Sequence, residues 1–178
     1  MMSNVFAVCK GLIALTIFTV VMPALMAQKP TESALPEGWR LPTKQEIASA
    51  WRDKSSTRFA VVKADFDGDG KIDIAEILID AATRRFGVFV KLAAAEQWQL
   101  LTDGDLDAID RFAIDRVKPG RYETACGKGY GDYACANGEP DFLVLKHAGL
   151  DFIYTESSDT IFYWDQHSRK FLKALMSD

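Results

Sequence analysis

The chain has 178 residues, with 21 lysines and arginines against 25 aspartates and glutamates, for a formal charge of −4. Its basic residues cluster only at Arg84–Arg85 and Arg169–Lys170, which argues against nucleic acid as a partner. No GxSxG elbow, HExxH helix or P-loop is present, and His147 and His167 do not stand at a zinc-binding spacing, so the chain is not expected to be an enzyme.

The N-terminus begins with a short segment bearing Lys10, continues with the apolar run GLIALTIFTVVMPAL and ends in small residues at ALMA. This is the layout of a secretory signal peptide spanning 1–27, cleaved after Ala27. The run is shorter than the roughly 20 residues that cross a bilayer, no basic cluster follows it, and Cys9 precedes it, so no stable membrane or lipid anchor is expected after cleavage. The remainder is long enough for one domain with a core, here 39–178, behind a flexible lead-in at 28–38 that is polar and holds two prolines. Without Lys10 it has 20 basic and 25 acidic residues, a formal charge of −5. Its two remaining cysteines, Cys126 and Cys135, are expected to form one disulfide in a periplasmic or secreted protein.

In LPTKQEIASAWRDKSS, Thr43 and Glu46 stand as a capping box, and Ile47, Ala50 and Trp51 follow at helical spacing; a short helix is predicted. Beyond Ser56 the texture turns to β. RFAVVKADF, IDIAEILIDAA, GVFVKLA and QWQLLT are predicted strands, with TRRFG as a hairpin turn. In the second of them Ala75, Ile77 and Ile79 make one face apolar. LTDGDLDAIDRFAIDRVKPG reads as an acidic turn and an irregular segment; it has Ala108 where a second cation loop would need glycine. FLVLK, LDFIYTE, TIFYWD and FLKALM are four more predicted strands, the last pair joined by QHSRK. The expected fold is α+β: mainly an antiparallel β meander with one short N-terminal helix and one disulfide.

The stretch DFDGDGKIDIAE places oxygen donors at the alternate positions that a calcium loop uses. Asp65, Asp67 and Asp69 stand at positions one, three and five, Gly70 at the turn, and the Lys71 carbonyl at seven. Asp73 follows at nine and Glu76 at twelve. Packed this closely, the carboxylates repel one another unless a cation, here Ca2+, neutralises them. An EF-hand would flank the loop with helices, yet FAVVKA is β-branched and reads as a strand.

ADFDGDGKIDIAEILI resembles the calcium loop of integrin-type FG-GAP and VCBS repeats, in which strands flank the ion. The resemblance covers about 20 residues in one copy and so implies the local unit, not a propeller. It implies side-chain ligation by Asp65, Asp67, Asp69 and Asp73, a carbonyl ligand from Lys71, and Glu76 turned away. More widely, PGRYETACGKGYGDYACANGEPDFLVLK and TIFYWD resemble a group of small exported bacterial proteins that pair a DGDGxxD loop with a C-terminal cysteine loop and an FYWD hairpin; no activity is established for the group.

The expected function is that of an exported calcium-binding protein, in which the ion staples a strand-loop-strand unit of a structural or binding domain. One alternative is a periplasmic inhibitor or immunity-type protein that blocks a periplasmic or extracellular enzyme through Lys128, Tyr130 and Tyr133 of the cysteine loop. The other is an EF-hand sensor, which requires helices around Asp65 to Glu76. The aromatics Phe152, Tyr154, Phe162, Tyr163 and Trp164 alternate, so about half face the core and the rest could form a platform for a protein, peptide or glycan.

Overall fold

Among the described residues ten short runs of β-branched, aromatic and aliphatic residues become strands: β1 (Val61–Ala64), β2 (Asp73–Asp80), β3 (Arg85–Lys91), β4 (Gln99–Asp105), β5 (Phe112–Val117), β6 (Gly120–Glu123), β7 (Phe142–Leu145), β8 (Gly149–Tyr154), β9 (Ser158–Asp165) and β10 (Lys170–Met176). The structure, a computed structural model, describes residues 34–95, 97–129, 135, 139–155 and 157–176. The signal peptide read at 1–27 therefore lies outside the described residues, as do Tyr130 and Tyr133. Residues 34–178 make one compact unit.

The strands form two four-stranded antiparallel sheets, β1-β2-β3-β4 and β10-β9-β8-β5, and a separate β6-β7 pair. The first sheet is the expected meander. The second departs from it, because β5 crosses to the far side of β8. One apolar core is shared by the two sheets: Ala75, Ile77, Ile79, Phe86, Val88 and Val90 from the first meet Ile114, Leu150 and Phe162 from the second. Burying each large aliphatic or aromatic side chain of this kind stabilises the fold by about 1.5–3 kcal/mol. Phe112 links the layers, with ring centroids 5.1 Å from Phe86 and 5.1 Å from Phe152. On the opposite face of the second sheet, Leu143 and Leu145 of β7 join Ile161 and Ala174 in a smaller core.

Ala34 to Gly38, read as part of a flexible lead-in, makes specific contacts: the Trp98 indole donates to the Ala34 carbonyl, and the Trp39 N–H donates to the Pro36 carbonyl. Arg40 then bridges Ile79, and Trp39 lays its ring edge-on against Phe89, 4.7 Å between centroids, over the outer face of the first sheet. Gly87 makes room for this packing: a Cβ there would stand 2.8 Å from the Phe89 ring, 2.9 Å from Leu100 and 3.1 Å from Trp39. Gly87→Ala is expected to destabilise the protein by about 1–3 kcal/mol, which thermal unfolding reads as a fall of about 3–9 °C. An unchanged midpoint would show that the Trp39 strap shifts at no cost.

The short helix predicted in LPTKQEIASAWRDKSS is not formed, and the α+β reading gives way to a predominantly antiparallel β protein. The capping box does form, since Thr43 N–H donates to Glu46 at 2.8 Å and Glu46 N–H to the Thr43 hydroxyl at 3.3 Å. Continuation fails at Ser49, which is extended (φ −51°, ψ 132°), and only a 3-10 turn, Ala50–Lys54, follows. Two tertiary demands outcompete the helix. The Ile47 carbonyl, which a helix would use internally, accepts from Arg58 Nε at 3.0 Å, and Arg52 turns fully inward. A segment this short has little intrinsic helicity to set against them.

Candidate metal centre

The acidic stretch is held between strands. β1 ends at Ala64 and β2 begins at Asp73, and the register pairs these two residues across the loop. Gly68 and Gly70 have φ of +79° and +81°, the left-handed conformation that glycine adopts freely, and they fold the loop back on itself. The flanks are strands, so the helix-loop-helix unit of an EF-hand sensor is not formed around this loop.

Three carboxylates converge: Asp65, Asp67 and Asp73 each offer an oxygen, all within 4.8 Å of one another. Asp65 is fixed by N–H donors from Gly68 at 2.6 Å and Gly70 at 3.0 Å. Asp73 is fixed by Phe66 N–H at 2.8 Å and Ala93 N–H at 2.7 Å. Asp67 accepts from Asp69 N–H at 3.1 Å. Asp73 is only 1% exposed. Burial pushes its carboxyl above the ordinary carboxylate range, against the lowering by the Ala93 and Phe66 donors, and the charge of Asp67 pushes the same way.

The other expected ligands are placed differently. Asp69 is not in the cluster: it accepts from Lys71 N–H at 2.8 Å and pairs with Lys71 Nζ at 3.0 Å, which together hold its carboxyl below the usual range. Glu76 is also outside it. It lies in mid-strand between Val61 and Phe89, on the face of β2 opposite Asp73, and burial there pushes its carboxyl up. Of the two models for Glu76 in the sequence, the strand-flanked one matches this orientation.

The residues fit a hard divalent cation. The donors are all oxygen, one carboxylate is buried beside a second negative charge, and the loop's own lysine, Lys71, is engaged with Asp69. Of the carboxylates at 103–110, considered for a second ion, Asp103 and Asp105 pair with Arg85 and Asp107 with Arg84, while the charge of Asp110 acts on the buried Arg52. No protein-family model, curated protein or solved structure matches this chain.

Two contacts from the second sheet complete the loop's surroundings, and neither has a signature in the local spacing. Gln166, in the turn between β9 and β10, donates its side-chain amide to the Asp67 carbonyl. His147 lies flush on Gly68, where a Cβ would stand 2.3 Å from the imidazole. Cys126 and Cys135 are joined in a disulfide, as expected, which is compatible with an exported protein. Ala125 beside it donates to the Leu175 carbonyl of β10. Lys128 is exposed and lines a cleft of about 420 Å³ with Arg121 and Tyr122. Among the described residues no helix is long and apolar enough to cross a membrane.

Proposed function

We propose that this is an exported, non-catalytic domain in which Ca2+ staples the β1–β2 loop and so stabilises a structural or binding scaffold. The observation that carries the reading is the convergence of Asp65, Asp67 and the buried Asp73 within 4.8 Å. The ligand spacing and the freedom of calcium to take irregular oxygen sets favour Ca2+ over Mg2+, which demands near-octahedral geometry. The resemblance to strand-flanked calcium loops supports the same assignment, and the disulfide and the apolar leader support export. Asp65, Asp67 and Asp73 would supply side-chain oxygens and Lys71 a backbone carbonyl; the ion contributes charge neutralisation and no chemistry.

An ion that binds only the folded state stabilises it by mass action, by about 2.7 kcal/mol at about a hundred times Kd. Calorimetric titration of the chelator-treated protein with calcium is therefore expected to show binding, with a rise in melting temperature of about 5–10 °C. Asp65→Ala is expected to abolish both effects, and Glu76→Ala to leave the binding isotherm nearly intact. A melting temperature indifferent to calcium in the wild-type protein would overturn the reading.

A further inference from the structure

Beside the acidic loop, between the β7–β8 turn and the start of the β9–β10 turn, lies a recess of about 160 Å³. Its apolar walls come from Phe66, Leu145 and Trp164, and its polar rim from Lys146, His147, Asp165 and Gln166. The recess is concave, mainly apolar, and carries a few converging polar groups, which is the make-up of a small-molecule site.

What those polar groups are doing in the fold decides the ligand. Gln166 commits its amide N–H to the Asp67 carbonyl. Asp165 commits Oδ2 to the Ser168 N–H at 2.7 Å. Among the described residues no hydrogen bond engages the Gln166 side-chain carbonyl, the Lys146 ammonium or the ring nitrogens of His147. The rim therefore interleaves unused donors with unused acceptors. The rim carries one ammonium, Lys146, and one carboxylate, Asp165, so its charges offset and a ligand charged with either sign meets a like charge there. A hydroxyl both donates and accepts, so neighbouring hydroxyls match such a rim without adding charge. A ring with one C–H face and several hydroxyls also matches the Trp164 side, where an aromatic wall favours apolar contact. The volume admits one such ring.

We propose that this recess is a saccharide subsite that takes a single neutral pyranose unit, with Trp164 as the apolar wall and Lys146, His147, Asp165 and Gln166 as hydroxyl partners. The site does not require the cation as a ligand. It shares a wall with the acidic loop, because Phe66 is held by Asp73 and Gln166 by the Asp67 carbonyl.

A ligand of this size in a shallow recess is expected to bind with Kd of about 1–10 mM. The test is an amide NMR titration of the isotope-labelled protein with glucose, galactose and N-acetylglucosamine, in calcium and again in chelator, with acetate and ethylamine as charged probes. Saturable shifts from at least one sugar, confined to Phe66, Leu145–Ala148 and Trp164–Gln166, are expected, and Lys146→Ala should weaken binding about 3–10-fold at unchanged melting temperature. Lys44→Ala, on an exposed lysine outside the recess, should leave the affinity as it was. Saturation by acetate or ethylamine instead, shifts mapping elsewhere, or no saturable shift with any of the three sugars in calcium would overturn the proposal. The melting temperatures recorded with and without calcium judge the ion reading separately.

Discussion

Replacing Arg52 with alanine is expected to destabilise the protein by about 3–5 kcal/mol, lowering its melting temperature by about 10 °C or more. Arg52 is 0% exposed, and its guanidinium forms no salt bridge among the described residues. It donates instead to three backbone carbonyls: Arg58 at 2.8 Å, Ile109 at 2.8 Å and Phe112. One guanidinium thus joins the segment before β1 to the C-terminal half of the 3-10 turn (Leu106–Arg111) and to the first residue of β5, close to where the Ile114 N–H donates to the Phe59 carbonyl. Burial lowers its pKa, with Asp110 acting in the opposite sense, and the cation also lies 4.6 Å from the Trp51 ring centroid. Truncation removes the packed stem and takes the guanidinium from all three carbonyls, of which Ile109 keeps the Phe112 N–H. Arg52→Met keeps much of the volume and removes the buried charge along with its desolvation cost, so its loss should be the smaller. Urea unfolding of the two variants checks this; a loss below about 1 kcal/mol for Arg52→Ala would mean that water replaces the guanidinium freely.

Arg52 also shows where the sequence stops being legible. Its neighbours have helical spacing, and nothing local reveals that the side chain turns inward to carbonyls at 109 and 112. Strands were legible wherever one face is apolar over several residues, as in Ala75, Ile77 and Ile79 of β2. They were not legible in FAIDRV, whose buried residues Ala113 and Ile114 are adjacent and followed by the exposed Asp115 and Arg116, so that β5 read as irregular, nor in GRYE, where Arg121 and Glu123 are exposed and Tyr122 is half-buried. The loop's acidic spacing was visible because its candidate ligands lie within nine residues of one another. The positions of Asp69 and Glu76 were not, because the first is decided by Lys71 and the second by the pleat of β2. His147 and Gln166, which hold the loop from the other sheet, are remote in sequence from Gly68 and Asp67. Only the pairing of strands brings them there.

Asp151→Asn is expected to stabilise the protein above pH 7 and to leave it almost unchanged near pH 4. Asp151 stands in mid-strand on β8, directly across from Asp115 on β5, with Asp159 on the adjoining strand. Its Oδ1 is buried without a hydrogen-bond partner among the described residues. Arg121, Glu123, Lys128 and Tyr122 line the same cleft. Burial first, then the charges of Asp159 and Asp115, raises the carboxyl from 3.8 to about 7. The folded state therefore keeps the proton that the unfolded chain releases near 3.8, so this group's contribution to stability falls as pH rises from about 4 to about 7 and is level above that. The full shift corresponds to about 4 kcal/mol, reduced towards about 2 kcal/mol by partial solvent access. Asparagine mimics the protonated form at every pH and abolishes the fall. Other groups contribute to the wild-type profile. Glu46, for example, is lowered to about 2 chiefly by Arg40, and it contributes stability that is lost as pH drops below its unfolded value of 4.5. Subtracting the Asp151→Asn profile from that of the wild type, by urea unfolding at several pH values, removes such terms and isolates the buried carboxyl. A difference that is the same at pH 4 and pH 8 would show that Asp151 is ionised in the fold throughout, stabilised by the cations of the cleft.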